Sequence, residues 1–136
     1  MALNSLVHDT SSPPGRPALW VGRVLSGLVA AMLVMSASGK FAGVPELEAN
    51  LVHMGFKASI LPTLGVIELV SVILYVIPYT AVLGAILVTG YLGGAVVTHM
   101  RMDEPVLIPV AVGVVAWLGL FLRDPRLRRL IPLRSL

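Results

Sequence analysis

Four apolar stretches, each 17 to 21 residues long, constrain the fold of this 136-residue chain more than any other feature. They occupy residues 18–38, 60–78, 80–98 and 106–122. At about 1.5 Å per residue, a helix of this length spans the hydrocarbon core of a bilayer, which is about 30 Å thick. Helices are required there because backbone N–H and C=O groups cannot stay unpaired in lipid. The sequence therefore predicts an all-α membrane protein, a bundle of four transmembrane helices.

The composition excludes most soluble functions. The chain is 57% hydrophobic and only 12% charged, against about 25% charged for an ordinary soluble domain. It has no cysteine, which excludes disulfides, thiolate metal sites and iron–sulfur clusters. None of its three histidines is placed to face inward on a span, so we expect no haem and no metal site. Its basic residues are not interleaved with aromatics, and we expect no nucleic-acid partner.

The segments between the spans predict the topology. Residues 1–17 read as a flexible polar tail, and residues 123–136 as a basic one. A short amphipathic helix on the membrane surface is predicted to begin at Pro45, between the first two spans, and to end near Val52. Six Lys and Arg residues lie next to the spans on the side of the membrane that carries both termini, and three lie on the opposite side. Since the side richer in Lys and Arg faces the cytoplasm, we expect both termini to be cytoplasmic.

The first span permits a second interpretation, a cleaved secretory signal. Arg16 and Arg23 precede the apolar run 24–35, and small residues follow it at 36–38. Two features favour a retained helix instead. An arginine directly borders the apolar run, and cleavage would leave three spans with the basic C-terminal tail facing outward.

Two ionisable residues fall within the spans, Arg23 and Glu68. Charged groups inside a membrane are costly, face the bundle interior, and mark functional sites by default. Their backbones are expected to be roughly 10 Å apart along the bundle axis, a gap that the two extended side chains can close directly or through a water. Either Glu68 pairs with a cation or it is protonated, while Arg23 either pairs or reaches out to the membrane surface. Both are candidate catalytic or binding residues.

Further candidates lie on and after the third span. Tyr91 is a hydrogen-bonding group within it, and Gly90 and Gly94 have the G-x-x-x-G spacing of a helix-packing face, within the bundle or between copies of the chain. His99 and Arg101 end the span and are followed by carboxylates. A histidine beside carboxylates at the membrane surface could relay protons or bind a metal, and the alternative is that these residues are solvated charges that end the helix.

These segments resemble the bacterial DoxX-like family of small integral membrane proteins. The resemblance runs from about Leu19 to the C-terminus and rests on four motifs in order: Ser38-Gly39-Lys40-Phe41, Gly65-x-x-Glu68, Thr98-His99-x-Arg101, and Trp117-x-x-Leu120-x-x-Arg123-Asp124-Pro125-Arg126-Leu127. It implies a four-helix bundle in the inner (plasma) membrane with functional residues at Arg23, Glu68, Thr98, His99 and Arg101. One departure is Met102-Asp103-Glu104, where the family pattern has a glycine-containing turn.

Three functions are compatible with the resemblance. The first is a quinone-linked redox subunit, in which Glu68 exchanges the proton that accompanies quinone chemistry, Arg23 modulates that exchange and Tyr91 contacts the headgroup. The second is a bundle that binds or transports a small molecule or lipid, assembled as an oligomer through the Gly90/Gly94 face. The third is a structural subunit whose membrane or redox partner carries the chemistry. A fold shared within a family does not decide among them.

Overall fold

The computed structural model describes residues 15–130 of the chain. Within that range a 3-10 turn, Ala58–Ile60, precedes the third of six α-helices. The helices are α1 (Arg16–Phe41), α2 (Pro45–His53), α3 (Leu61–Val76), α4 (Ala81–Arg101), α5 (Leu107–Arg123) and α6 (Pro125–Leu130). Most of the predicted N-terminal tail, residues 1–14, and the last part of the C-terminal tail, residues 131–136, lie outside the described residues.

The prediction of an all-α membrane bundle is confirmed. Among the described residues, three helical segments are long and apolar enough to cross a bilayer: α1, α4, and α3 with the turn before it. The fourth predicted span is α5, an apolar helix of 17 residues. The helix α1 extends beyond its predicted span at both ends, from Arg16 to Phe41. The extension at the C-terminal end contains Lys40.

The four long helices pack in a ring, α1 against α3, α3 against α4, α4 against α5, and α5 against α1. The closest backbone contacts at glycines occur at two positions, and small residues allow such contacts in membrane bundles. A Cβ atom at Gly22 of α1 would lie 2.7 Å from the backbone nitrogen of Arg123 and 2.8 Å from the carbonyl oxygen of Gly119. At Gly84 of α4, a Cβ atom would overlap the backbone of Tyr75. Larger side chains at these two positions would force the helices apart.

A buried tyrosine joins three of the helices at the centre of the bundle. The Tyr75 hydroxyl of α3 lies 3.0 Å from Ser26 Oγ of α1 and donates to the carbonyl oxygen of Ala116 of α5 at 2.7 Å. Its polar group is therefore satisfied without water, as burial requires. Around it lie the apolar side chains of the core: Val29, Leu33, Val72, Ala81, Ala85, Val88, Leu92, Val112, Ala116, Leu120 and Leu127.

The outside of the bundle is as apolar as its core. Large hydrophobic side chains are exposed along all four long helices, and examples are Leu28, Met35, Ile73, Ile86 and Val114. A soluble monomer rarely exposes contiguous apolar surface of this extent. The pattern is that of a bundle whose outer surface contacts lipid.

The predicted short helix between the first two spans is α2. Proline at its first turn supplies a preset backbone angle, and Leu51 is buried against the bundle. Gly43 precedes the helix and Gly55 follows it, with φ angles of 63° and 85°. Glycine tolerates this left-handed conformation without strain, so the chain can turn sharply at both ends of α2.

At the other end of the chain, α6 folds back onto the bundle. Leu127 is buried, and Arg128 donates hydrogen bonds to the carbonyl oxygens of Phe121 and Leu122 at 3.0 and 3.3 Å. These carbonyls belong to the last turn of α5, where they have no partner within the helix. The first part of the predicted basic tail is thus attached to the bundle.

Candidate functional site

A buried carboxylate lies at the centre of the candidate site. Only 1% of the Glu68 side chain is exposed. Its Oε2 atom accepts a hydrogen bond from Lys40 Nζ of α1 at 2.8 Å and another from the Tyr91 hydroxyl of α4 at 3.2 Å. Three helices therefore converge on one oxygen atom, and a buried charge is tolerated because an opposite charge and hydrogen bonds surround it.

Local structure holds Lys40 in position. The residue lies in the last turn of α1, where the helix dipole favours a cation. Its ammonium group also donates to Ser36 Oγ, one turn earlier, at 2.7 Å, and lies 5.8 Å from the centre of the Tyr91 ring. Since 14% of the Lys40 side chain is exposed, the ion pair has one buried member and one that reaches the surface of a cavity.

The partner of Glu68 differs from the one considered in the sequence analysis. Glu68 bonds to Lys40, in the last turn of α1, whereas Arg23 lies in the first turns of the same helix. Helical side chains tilt toward the N-terminus of their own helix. Because α1 and α3 are antiparallel, this tilt brings Lys40 and Glu68 together and directs Arg23 away from Glu68.

Arg23 instead occupies the opposite end of the bundle. Its guanidinium group lies 5.6 Å from the centre of the Trp20 ring, and the residue lines a separate pocket with Arg123 and Arg126. We refer to this end as the arginine end, and to the end that contains Lys40 and Glu68 as the cavity end.

A cavity of about 820 Å³, partly open at the surface, adjoins Lys40, Glu68 and Tyr91. Its walls come from α1, α2, α3, α4 and α5, so α2 closes one side of it. Most of the lining is hydrocarbon, with a few polar groups grouped near Glu68 and near the end of α4. The apolar residues include Met32, Leu33, Leu47, Leu51, Met54, Phe56, Leu61, Leu64, Leu92, Val97, Ile108 and Val112.

The end of α4 contributes a second polar group to this cavity. His99 Nδ1 lies 2.9 Å from Glu104 Oε2, although the two atoms are not aligned as a hydrogen bond and Nδ1 is buried. Thr98 also lines the cavity, and its hydroxyl donates to the carbonyl oxygen of Gly94 at 2.9 Å. Arg101 is exposed and does not line the cavity.

The structure therefore brings together four of the six predicted site residues: Glu68, Tyr91, Thr98 and His99 all line one cavity. The two arginines, Arg23 and Arg101, lie outside it. Lys40 is not among the predicted site residues, because it follows the apolar run of the first span and has the position of a loop charge. The tilt of side chains toward the helix N-terminus was the signal that could have identified it.

The described residues contain no group of three or more His, Asp or Glu side chains placed to hold a metal ion. Chemistry at the cavity would instead use a carboxylate, an ammonium and a phenol. Together they can bind a polar headgroup, exchange a proton with it and orient it next to an apolar space.

A family model described as the DoxX-like family matches residues 24–120 of the chain. This range covers α3 and α4 completely and most of α1 and α5, and it includes Lys40, Glu68, Tyr91 and His99. No curated protein matches the chain. No solved structure matches it either.

Proposed function

The chain belongs to the DoxX-like family, and from that premise we propose that it is a membrane subunit that binds a quinol and exchanges its proton through Glu68. The observation that carries this proposal is the position of the Lys40–Glu68–Tyr91 cluster on the wall of a large apolar cavity. The polar cluster would bind the headgroup of such a ligand, and the apolar cavity would accommodate its hydrophobic tail.

The size and lining of the cavity favour an amphipathic ligand. Its volume of about 820 Å³ is within the range of roughly 300–1,000 Å³ that is typical of ligand sites. Such sites combine a predominantly apolar wall with a few polar groups that set the orientation of the ligand. A quinol has this same division, with a ring that carries two hydroxyl groups and an apolar tail.

The hydrogen bonds at Glu68 favour a ligand that donates. Oε2 accepts from Lys40 and Tyr91, whereas Oε1 accepts no hydrogen bond from the described residues. A carboxylate can accept hydrogen bonds at both of its oxygens. A quinol hydroxyl that donates to Oε1 would complete the coordination of Glu68, and the Tyr91 hydroxyl would orient the ring.

The proton and electron steps are divided between two proteins in this proposal. Oxidation of a quinol to a quinone releases two electrons and two protons. Glu68 accepts the proton of the hydroxyl that it binds, and the second proton leaves through the open side of the cavity. The electrons pass to a redox partner, because carboxylate, ammonium and phenol groups at this site offer no stable electron acceptor. The chain is then the quinol-binding subunit of a membrane complex.

We further propose the inner membrane as the location, with both termini in the cytoplasm. The distribution of Lys and Arg supports this orientation. The Gly90/Gly94 face supports an oligomer, since a Cβ atom built at either glycine would have no atom of another described helix within 4 Å. Both glycines also line the cavity, so a helix of a second copy or of the redox partner at this face would cover part of the open side of the cavity.

A structural role is the second candidate, and one observation favours it. Lys40, Glu68, Tyr91 and Ser36 already form hydrogen bonds to one another without a ligand. In that case the cluster joins α1, α3 and α4, and a partner protein carries the chemistry. A bundle that binds or transports another small amphipath, with Glu68 as its proton site, uses the same cavity and is distinguished by the identity of the ligand.

The test is gentle purification, organic extraction and mass spectrometry of the small molecules that remain bound. Three proteins are compared: wild type, Glu68→Gln, and Ser71→Ala as a control. Ser71 is also buried and polar, lies one turn along α3 and bonds only to its own helix. We expect a stoichiometric quinone in wild type and control and its loss in Glu68→Gln.

The folded state of each variant is checked by its thermal unfolding in detergent. Bulk lipid alone in all three proteins, together with no binding of added quinol, would contradict the proposal and favour the structural role. A different stoichiometric amphipath that is lost in Glu68→Gln would support a binding or transport bundle instead.

A further inference from the structure

The arginine end of the bundle contains a second pocket, with a volume of about 380 Å³. It lies where the first turns of α1 meet the α3–α4 turn and the junction of α5 with α6. Its lining includes three guanidinium groups, from Arg23, Arg123 and Arg126, and one carboxylate, from Asp124. The pocket therefore has an excess of positive charge.

Nothing in the described part of the chain neutralises this charge. The ion pair of Lys40 with Glu68 lies at the cavity end, as does the contact of His99 with Glu104, and no other carboxylate of a described residue lies within 4.0 Å of a basic group. Asp124 is turned toward the backbone, where its Oδ1 atom accepts from the Arg126 N–H at 2.8 Å. The guanidinium groups of Arg23 and Arg126 form no ion pair or hydrogen bond with other described residues, so they are available to an anion.

Arg123 forms the rigid back of this pocket. It donates hydrogen bonds to the carbonyl oxygens of Tyr75 and Val76 at the end of α3, and its guanidinium group lies 4.9 Å from the centre of the Tyr75 ring. Its Nε atom is buried and has no hydrogen-bond partner among the described residues. A buried donor without a partner is unusual, and a bound anion would supply one.

The surroundings of the pocket indicate an anion with an apolar tail. Trp20 and Tyr79 flank it with 64% and 91% of their surfaces exposed, as aromatic residues are at the boundary between lipid and water. The neighbouring side chains of Val24 and Val82 are exposed and apolar. An anion in this pocket would therefore have its charge at the membrane edge and hydrocarbon directly below it.

We propose that this pocket binds the phosphate group of an anionic membrane phospholipid. Arg23 and Arg126 would hold the phosphate oxygens, since the planar guanidinium group matches phosphate with paired hydrogen bonds. Arg123 Nε would bind from the back of the pocket. Basic pockets between transmembrane helices are known to bind lipid headgroups in this way. The chemistry at issue is that of phosphate, and the apolar surroundings favour a lipid over a free anion.

The test is native mass spectrometry of the purified protein in detergent, titrated separately with phosphatidylglycerol, phosphatidylcholine and inorganic phosphate. The variant is Arg23→Gln/Arg126→Gln, which leaves the hydrogen bonds from Arg123 to the end of α3 intact. The matched control is Arg16→Gln/Lys57→Gln. It removes the same net charge from two exposed residues, one near this end and one at the cavity end, and neither lines a pocket.

We expect wild type and control to bind phosphatidylglycerol in preference to phosphatidylcholine. The arginine variant should bind it roughly thirtyfold more weakly, because two basic residues near a membrane surface together contribute on the order of 2 kcal/mol. If the arginine variant and the control bound phosphatidylglycerol with equal affinity, the proposed phosphate site would be wrong. Inorganic phosphate that binds as tightly as the lipid would overturn the lipid assignment. If the double variant does not fold, Arg23→Gln alone is compared with Arg16→Gln alone by the same titration.

Discussion

The two ends of this bundle differ in whether their charged side chains are paired. At the cavity end, a buried carboxylate is paired with an ammonium group at 2.8 Å, and the charges cancel inside the protein. At the arginine end, three guanidinium groups line one pocket and no described carboxylate forms an ion pair with them. Depth explains the difference, because an unpaired charge is prohibitive in a low-dielectric interior and tolerable at the membrane edge. The interior charge therefore requires a partner from the chain, whereas the edge can take one from the membrane.

Among the substitutions that test this comparison, Lys40→Met should lower the stability of the protein most. It leaves Glu68 buried without a cation, and breaking a buried ion pair costs about 3–5 kcal/mol. Thermal or denaturant unfolding in detergent measures the loss. The control is Lys40→Met/Glu68→Met, in which both charges are replaced by apolar groups and most of the stability should return. If Lys40→Met alone were as stable as wild type, the Lys40–Glu68 ion pair would contribute nothing to the free energy of unfolding.

Gly22→Ala should have the next largest effect, because the arginine end is packed backbone to backbone. The added methyl group would meet Arg123 and Gly119 at less than 3 Å, and overpacking of this kind costs about 1–3 kcal/mol. The free energy of unfolding is the measurement. Unchanged stability would mean that α1 and α5 can separate without cost, contrary to the tight contact that the structure shows.

Tyr91→Phe should produce a smaller effect at the cavity end. It removes one of the two hydrogen bonds to Glu68 and leaves the ring and its contact with Lys40 in place. A single hydrogen bond contributes about 1 kcal/mol to stability. The same variant should retain less quinol in the extraction experiment. Thr98→Val is a matched control, since it also deletes a hydroxyl on the cavity wall but one that bonds within its own helix.

Gly90→Ala should change the stability of the bundle least. Its Cβ atom would meet open space, so the higher helix propensity of alanine predicts a gain of about 0.5–1 kcal/mol. The proposed contact with a second helix predicts in addition that the oligomer weakens, which is measured by light scattering in mild detergent. A destabilised monomer would show that Gly90 is packed within the bundle after all.

Side chains within the spans were the most predictable part of the site. Glu68 and Tyr91 stand out from the sequence because polar groups are rare and costly inside a membrane. Lys40 does not, because a charge directly after an apolar run looks like the end of a span. Its role depends on an extra turn of α1 and on the direction in which its side chain tilts.

Spaces between helices were less predictable than the helices themselves. The glycine spacing at Gly90 and Gly94 indicates a packing face, yet within one chain the close contacts are at Gly22 and Gly84. Hydropathy reports which side of a helix avoids water, but lipid and protein are equally apolar. The side that meets another helix, and the side that borders a cavity, therefore depend on the tertiary structure.

The glycine contacts have a mechanical consequence. Both Gly22 and Gly84 lie at the arginine end, so backbones are in direct contact there, whereas the opposite ends of the helices surround an open volume. A helix of about 30 Å that tilted by about 4° about such a contact would displace its far end by about 2 Å. A tilt of this size would change the width of the opening beside Glu68, and it would act against the hydrogen bonds from Lys40 and Tyr91 that join three helices there.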